Sequence, residues 1–266
     1  VVTLAAIFAP TQPPEQIGAV AAAADAAGLE QLWVWEDCFS ESGIATATAM
    51  LATTSRVTVG IGLLPVPLRN VALTAMELAT LSRLFPGRLT AGVGHGVLDW
   101  MSQVGARAES PMTLLREYTA ALYALLHGET VTTRGRYVNL DAVTLGWPPA
   151  VPPPLLVGGV RPRTVSLAGE LGDGVIIPGG VSPEEVRASV GHLHSQRGAG
   201  RGPADVVVFI SAPAAGPAEA IAATVREYAA AGATCVAVNT DEEDADLERF
   251  VGFLARKVGP LVSAGG

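Results

Sequence analysis

The sequence predicts a single (β/α)8 barrel, and three observations predict it. The chain alternates strand-like and helix-like segments through eight successive units. Its strand-like segments are continuous apolar runs rather than alternating ones, the pattern of a parallel sheet covered by helices on both faces. Its 266 residues suit one closed barrel, whose usual size is ~250 residues, so one core suffices without a second domain. The rival, an open doubly wound sheet, carries a glycine-rich fingerprint in its first strand-to-helix turn, and residues 9–14 contain none.

In order, the first unit is a strand over residues 2–8, a break at Pro10 and a helix over 14–27. Pro14 suits the first helical turn and Gly28 the stop. The second unit pairs a strand over 32–36 with a helix over 43–53. The third strand, 56–63, closes at Pro65 and Pro67 before a long apolar helix over 71–84. The fourth strand, 88–93, ends in Gly94-His95-Gly96. There the rhythm breaks. Residues 97–110 read as a polar loop, 111–126 as a helix stopped by Gly128, and 136–145 as a small hairpin outside the barrel. A proline-rich connector, 148–154, leads to the fifth strand, 155–157, and then to Gly158-Gly159. The repeat resumes with helix 163–170, strand 175–177, helix 183–196, strand 206–210, helix 217–231, strand 235–238 and helix 242–258. One domain is expected over 1–262, with 263–266 a frayed tail.

Composition narrows the function. The chain is 49% hydrophobic and 16% charged, with a formal net charge of −8 and no cluster of Lys and Arg, which argues against a nucleic-acid partner. Cys38 and Cys235 lie far apart with no CxxC spacing and read as free buried thiols. His95, His127, His192 and His194 supply no metal set, so no metal is expected. No run of ~18 apolar residues suggests a membrane span, and no basic-then-apolar segment opens the chain. The expectation is a soluble cytoplasmic protein with no membrane partner.

Three segments, in order and near spacing, carry a resemblance. They are Leu32-Trp33-Val34-Trp35-Glu36-Asp37; then Val59-Gly60-Ile61-Gly62, Arg69, Ala79-Thr80-Leu81-Ser82, Gly87-Arg88-Leu89 and Gly92-Val93-Gly94-His95-Gly96; and Pro154-Leu155-Leu156-Val157-Gly158-Gly159, Arg163-Thr164, Leu167-Ala168 and Asp173-Gly174-Val175-Ile176. Together they resemble the bacterial luciferase-like monooxygenase superfamily, closest to the branch that uses the deazaflavin coenzyme F420. The resemblance implies a (β/α)8 barrel and an oxidoreductase that moves a hydride to or from a small organic substrate. The alternatives are an FMN-dependent monooxygenase and a cofactor-binding barrel without catalysis. By the same analogy a homodimer is expected.

Ligands of such barrels sit at the carboxyl ends of the strands, which directs attention to a few residues. Gly158-Gly159 lets backbone N–H groups approach an anion. The next helix start, with Arg161 and Arg163, adds positive charge. Read alone, this is equally a tight turn with surface arginines; the resemblance implies a cofactor phosphate there. It likewise implies that Gly94, His95 and Gly96 touch cofactor and that the Gly62-Leu63 peptide is cis, with Leu63 and Leu64 backing the ring. Pro65 stands where the family often has a hydroxyl residue. Asp37 matches a family Asp, but Cys38 replaces the His that follows it. Val97 stands where sugar-phosphate-oxidising members carry Glu, so that reaction is not expected. His95 and Asp37 remain the candidate catalytic pair, and Trp35, Cys38 and Trp100 the candidate substrate pocket.

Overall fold

The protein was analysed as a computed structural model describing residues 2–240, 242 and 245–264. Eight parallel strands close into a barrel. In chain order these are β1 (Thr3–Phe8), β2 (Gln31–Val34), β3 (Thr58–Pro65) and β4 (Leu89–Gly94), then, after a two-stranded sheet of β5 (Val131–Arg134) and β6 (Asn139–Val143), β7 (Leu155–Gly158), β8 (Gly174–Ile177), β9 (Asp205–Ala212) and β10 (Cys235–Thr240). β4 pairs with β7, so the insertion leaves the barrel wall continuous, and β1 pairs with β10 to close it.

The helices are α1 (Ile17–Ala27), α2 (Gly43–Thr53), α3 (Val71–Leu84), α4 (Leu98–Gln103), α5 (Pro111–Leu126), α6 (Pro162–Leu171), α7 (Pro183–Gln196), α8 (Ala218–Ala230), α9 (Leu247–Phe253) and α10 (Gly259–Ser263). Local chemistry explains their bounds. Ser42 and Asn70 cap α2 and α3 through their side chains, and Ser182 with Glu185 forms a capping box at α7, satisfying N–H groups that the first turn leaves free. Gly28 ends α1 at φ 81°, a left-handed conformation suited to glycine. Among the described residues no helix is long and apolar enough to cross a membrane.

Two apolar layers hold the fold. One lies between the barrel wall and the helices. The other fills the barrel, where Ala5, Ile7, Trp33, Leu156, Ile176, Val207, Phe209 and Ala237 meet. Trp33 plugs the interior; its indole lies where a side chain on Gly60 would have to sit. Its Nε1 donates to Gln31 Oε1 at 3.1 Å. The barrel is therefore a packed core below, with an opening at the carboxyl end, where the strand-terminal loops emerge.

Four expectations need correction. Residues 97–110 are not all loop, because 98–103 form α4 around the buried Met101. The hairpin begins earlier, at Val131, and residues 135–138 are its turn. Glu117 on α5 accepts the N–H groups of Arg136, Tyr137 and Val138 there, a tertiary clamp that β-propensity does not report. The last helical stretch starts at Leu247, passes through a π-helical turn over Leu254–Val258 and continues through Ser263. Residues 243, 244, 265 and 266 of the expected helix and frayed tail lie outside the described residues. Finally, both cysteines are free, but only Cys235 is buried; Cys38 is half-buried.

Asp25 anchors the amino end. Its carboxylate accepts the N–H groups of Ser55, Arg56 and Val57, at 3.2, 2.8 and 2.7 Å. Burial acts to raise its pKa, but these bonds and the Ser55 hydroxyl outweigh it and lower the pKa to about 2. An unfolded Asp titrates near ~3.9, so the contribution is full above that value and is lost as pH falls toward 2. Asp25→Ala is expected to cost about 2 kcal/mol at pH 7, and urea unfolding should show the gap to wild type narrowing by pH 3.

Candidate functional site

A cavity of about 420 Å3 opens at the carboxyl end of the barrel, walled by residues that follow β2, β3, β4, β7, β8 and β9. Most of the residues singled out from the sequence meet there. Gly62 and Leu63 come from β3, His95 and Gly96 from the turn after β4, Gly158 and Gly159 from the end of β7, and Trp35 and Asp37 from the end of β2. Trp100 reaches the cavity from α4.

The floor is built from glycines because Leu63 leaves room for nothing else. A Cβ on Gly94 would lie 2.6 Å from Leu63 Cδ2, far inside a normal contact of ~3.5–4.0 Å, and one on Gly158 would strike the same methyl group. Leu63 is thus seated between β4 and β7 and presents to the cavity. The Gly62–Leu63 peptide is cis, as the resemblance implies, and so is Cys38–Phe39. Gly96 has φ +67°, and a Cβ there would meet Pro65 Cβ at 2.9 Å. Gly159 likewise holds its backbone against the Thr164 side chain, 2.6 Å from where its Cβ would stand.

Five of the candidates stand elsewhere. Leu64 is buried between barrel and helices; strand alternation turns it away from Leu63's face, so it cannot back a ring. Gly94 sits beneath Leu63 rather than in the cavity wall. Cys38 is outside the lining, and burial, then the charges of Glu36 and Asp37, raise its pKa, which keeps the thiol protonated. Arg161 and Arg163 are exposed on the rim at the start of α6. Neither forms an ion pair among the described residues. Arg161 is the N-cap of α6, whose first turn has no side-chain cap, so the positive end of that helix faces the rim.

The ionisable groups separate cleanly. Glu36 takes the framework role: it accepts from Arg69 Nη2 at 2.7 Å and Nε at 3.2 Å, and from the Gly43 N–H at 2.7 Å. Asp37 takes no part in capping α2; Ser42 and Glu36 do that work. Burial, and then the charge of Glu41, raise the pKa of Asp37. His95 moves the other way. Burial lowers its pKa, the charge of Arg161 adds to this, and the Pro111 carbonyl opposes it. His95 Nδ1 and Trp35 Nε1 are both buried without a hydrogen-bond partner, an arrangement that costs stability and recurs where a ligand completes the bond.

Sequence reasoning missed Phe209, which stands against Trp35 with ring centroids 5.9 Å apart and forms part of the wall. It also missed Val160 and Ile176 in the lining, and Asn239, whose Oδ1 is buried and unpartnered. Asn239 alternates with Cys235 and Ala237 along β10, both inside the barrel. That period of two was the available signal for a polar residue facing inward. Among the described residues no cluster of His, Cys, Asp and Glu could hold a metal ion.

Comparison with known proteins bears on this arrangement. The profile of a family described as luciferase-like monooxygenase matches residues 2–258. A 5,10-methylenetetrahydromethanopterin reductase of Methanolobus tindarius is 28% identical over 202 residues, covering 76% of this chain and 61% of that protein. The chain spans less than two thirds of the length of the curated relatives it matches, 61% and 54% for two of them. Among solved structures, an F420-dependent secondary alcohol dehydrogenase in complex with an F420–acetone adduct is similar with a TM-score of 0.87 at 17% identity, over 98% of this chain and 99% of that one. The FMN-bound oxygenating constituent of 3,6-diketocamphane monooxygenase of Pseudomonas putida is similar with a TM-score of 0.81 at 15% identity, over 98% and 99%. At these identities the likeness of structures speaks for the fold.

Proposed function

The chain belongs to the luciferase-like monooxygenase family, and on that premise we propose that it is an oxidoreductase that binds coenzyme F420 at the carboxyl end of its barrel and serves hydride transfer to or from a small, uncharged organic substrate. The observation that carries this reading is the convergence of Gly62-Leu63, His95-Gly96 and Gly158-Gly159 on one cavity. A planar ring needs a flat seat free of side chains, and the glycines with Leu63 above them provide one. A phosphate needs backbone N–H groups and cations, and the β7–α6 turn offers both through Gly159, Arg161 and Arg163.

When bound, F420 supplies the ring carbon between which and the substrate a hydride moves. The protein's residues do the rest. Trp35, Phe209 and Ile176 exclude water from one side of the cavity, and Val97 and Trp100 from the rim. Burial pushes both ionisable groups toward their neutral forms, Asp37 to the acid and His95 to the free base. Asp37 therefore holds a proton more readily than an ordinary carboxylate, and His95 offers a neutral ring nitrogen to accept one. Among the described residues the lining contains no Lys or Arg, which disfavours a phosphorylated or carboxylated substrate beside Asp37.

Fluorescence titration with F420 and with FMN tests the reading. Saturable binding of F420, with weaker binding of FMN, is the expected result. Tight binding of FMN alone would move the protein to the FMN-dependent monooxygenases of the family, and binding of neither would remove the redox reading. A homodimer and a cytoplasmic location accompany the proposal. Leu73, Met76 and Leu84 leave exposed apolar surface on α3, which supports self-association, and sedimentation measures it. Two free thiols accord with a reducing compartment.

A further inference from the structure

We propose that Arg69 is a positioning residue for the redox site: it holds the Glu36 carboxylate in the cavity wall and cancels its charge, so that the cavity presents one free carboxylate, Asp37, instead of two. The inference rests on the reading that an anionic ring cofactor occupies this cavity.

The geometry is specific. Glu36 lines the cavity, yet its side chain is only 9% exposed and that of Arg69 14%. The guanidinium grips both carboxylate oxygens, through Nε to Oε1 at 3.2 Å and Nη2 to Oε2 at 2.7 Å. Its third nitrogen, Nη1, donates to Glu77 on α3 at 2.9 Å. Glu77 is more exposed, at 25%, so water shares in neutralising it while Glu36 depends on Arg69. Oε2 of Glu36 also accepts the first N–H of α2. One bidentate pair thus ties the end of β2 to the β3–α3 connection and to α2, the geometry for which arginine is suited and lysine is not.

The electrostatic consequence follows from adjacency. Asp37 is the next residue and has no cation of its own in an ion pair among the described residues. Hydride transfer onto a ring adds a negative charge to it. A second uncompensated carboxylate in a partly desolvated wall would disfavour that charge and would also repel Asp37. Arg69 prevents both.

Arg69→Gln, Glu36→Gln and the double variant separate this role from simple stapling. The readouts are the dissociation constants of the oxidised and reduced cofactor, measured separately with whichever of F420 or FMN binds, and the Asp37 titration followed by carboxyl 13C NMR and assigned with Asp37→Asn. The charged and titratable groups around Asp37 are Glu36, Cys38 and Glu41 on its own segment, with His95 across the cavity and Arg161 beside it. Arg69→Gln is expected to weaken binding of the reduced form relative to the oxidised by about tenfold, the factor that one pKa unit represents, and to raise the Asp37 midpoint. Glu36→Gln, which leaves Arg69 with a hydrogen-bonded neutral partner, should move both readouts in the opposite direction. The double variant should restore the ratio and the midpoint toward wild type. A merely structural staple would leave the ratio and the midpoint unmoved in the single variants, or make the double variant the worst of the three, and either result overturns the proposal. If wild type binds no cofactor, the redox reading fails while the Asp37 titration still decides the role of Arg69.

Discussion

Gly158→Val is expected to yield a folded protein that binds its cofactor between ten- and a hundredfold more weakly, about 1.4 to 2.7 kcal/mol. The cause is Leu63. Its side chain is held between two glycines: a Cβ on Gly158 would strike Cδ2, and one on Gly94 would stand 2.6 Å from the same atom and 3.0 Å from Cδ1. A valine at 158 must displace Leu63, and with β4 closed to it the only free direction is into the cavity. The strand itself accepts valine readily, and what yields is the flexible end of a side chain rather than backbone, so the loss of stability should stay near the low end of overpacking effects, about 1 kcal/mol. Gly179→Ala is the matched control. Gly179 lines the same cavity, but a Cβ there meets only the Phe209 carbonyl oxygen, at the ordinary contact distance of 3.8 Å, and binding should change little. Equal loss in both variants, or loss of the fold in Gly158→Val, would detach Leu63 from the site.

That pair of glycines also shows where sequence reasoning reaches and where it stops. The barrel was legible because each strand and helix announces itself locally: α2, α3, α5 and α7 begin and end where caps, prolines and period place them. The rim was legible because strand ends in a barrel must converge and because the resemblance pointed to particular turns. The reason for Gly158 was not. It was read as room for an anion; the structure adds that the place of its Cβ is filled by Leu63, a residue 95 positions earlier. The division of labour between Glu36 and Asp37 was equally hidden, since alternation says that two neighbouring carboxylates diverge but not which of them meets Arg69. Leu64 was misplaced although strand alternation already set it opposite Leu63. Phe209 was passed over because its strand read as an uninterrupted apolar run, and Asn239 because the strand was read as ending at 238, whereas β10 runs on to Thr240. The hairpin bounds depended on Glu117, which acts through tertiary hydrogen bonds that no local propensity encodes.

Gly174→Ala should produce the largest loss of stability among simple glycine substitutions, and the reason lies at the opposite end of the barrel. Gly174 opens β8 and pairs with Asp205 at the start of β9. A Cβ there would run into the Asp205 backbone, striking its carbonyl oxygen and lying 2.7 Å from its carbonyl carbon and 2.8 Å from its nitrogen. No side chain can rotate away, so the strands must part. They are held on both sides: Asp205 N–H donates to the Asp173 carbonyl at 3.0 Å, Asp173 N–H to the Leu155 carbonyl at 2.7 Å, and the Asp173 carboxylate accepts the Leu155 N–H at 2.9 Å. Widening one gap therefore strains three strands of a closed wall. A cost of about 3 kcal/mol or more is expected, at the top of the usual range for overpacking, and a fall in Tm of roughly 6 to 12 °C for a chain of this size. Gly191→Ala makes the opposite prediction from the same principle. Gly191 lies exposed inside α7 with open space where its Cβ would go, so alanine should stabilise by about 0.5 to 1 kcal/mol through helix propensity and a less free unfolded chain. Thermal unfolding of the two proteins beside wild type tests whether β8 and β9 approach as closely as the pairing of Gly174 with Asp205 requires. A Gly174→Ala protein as stable as wild type would mean that they do not.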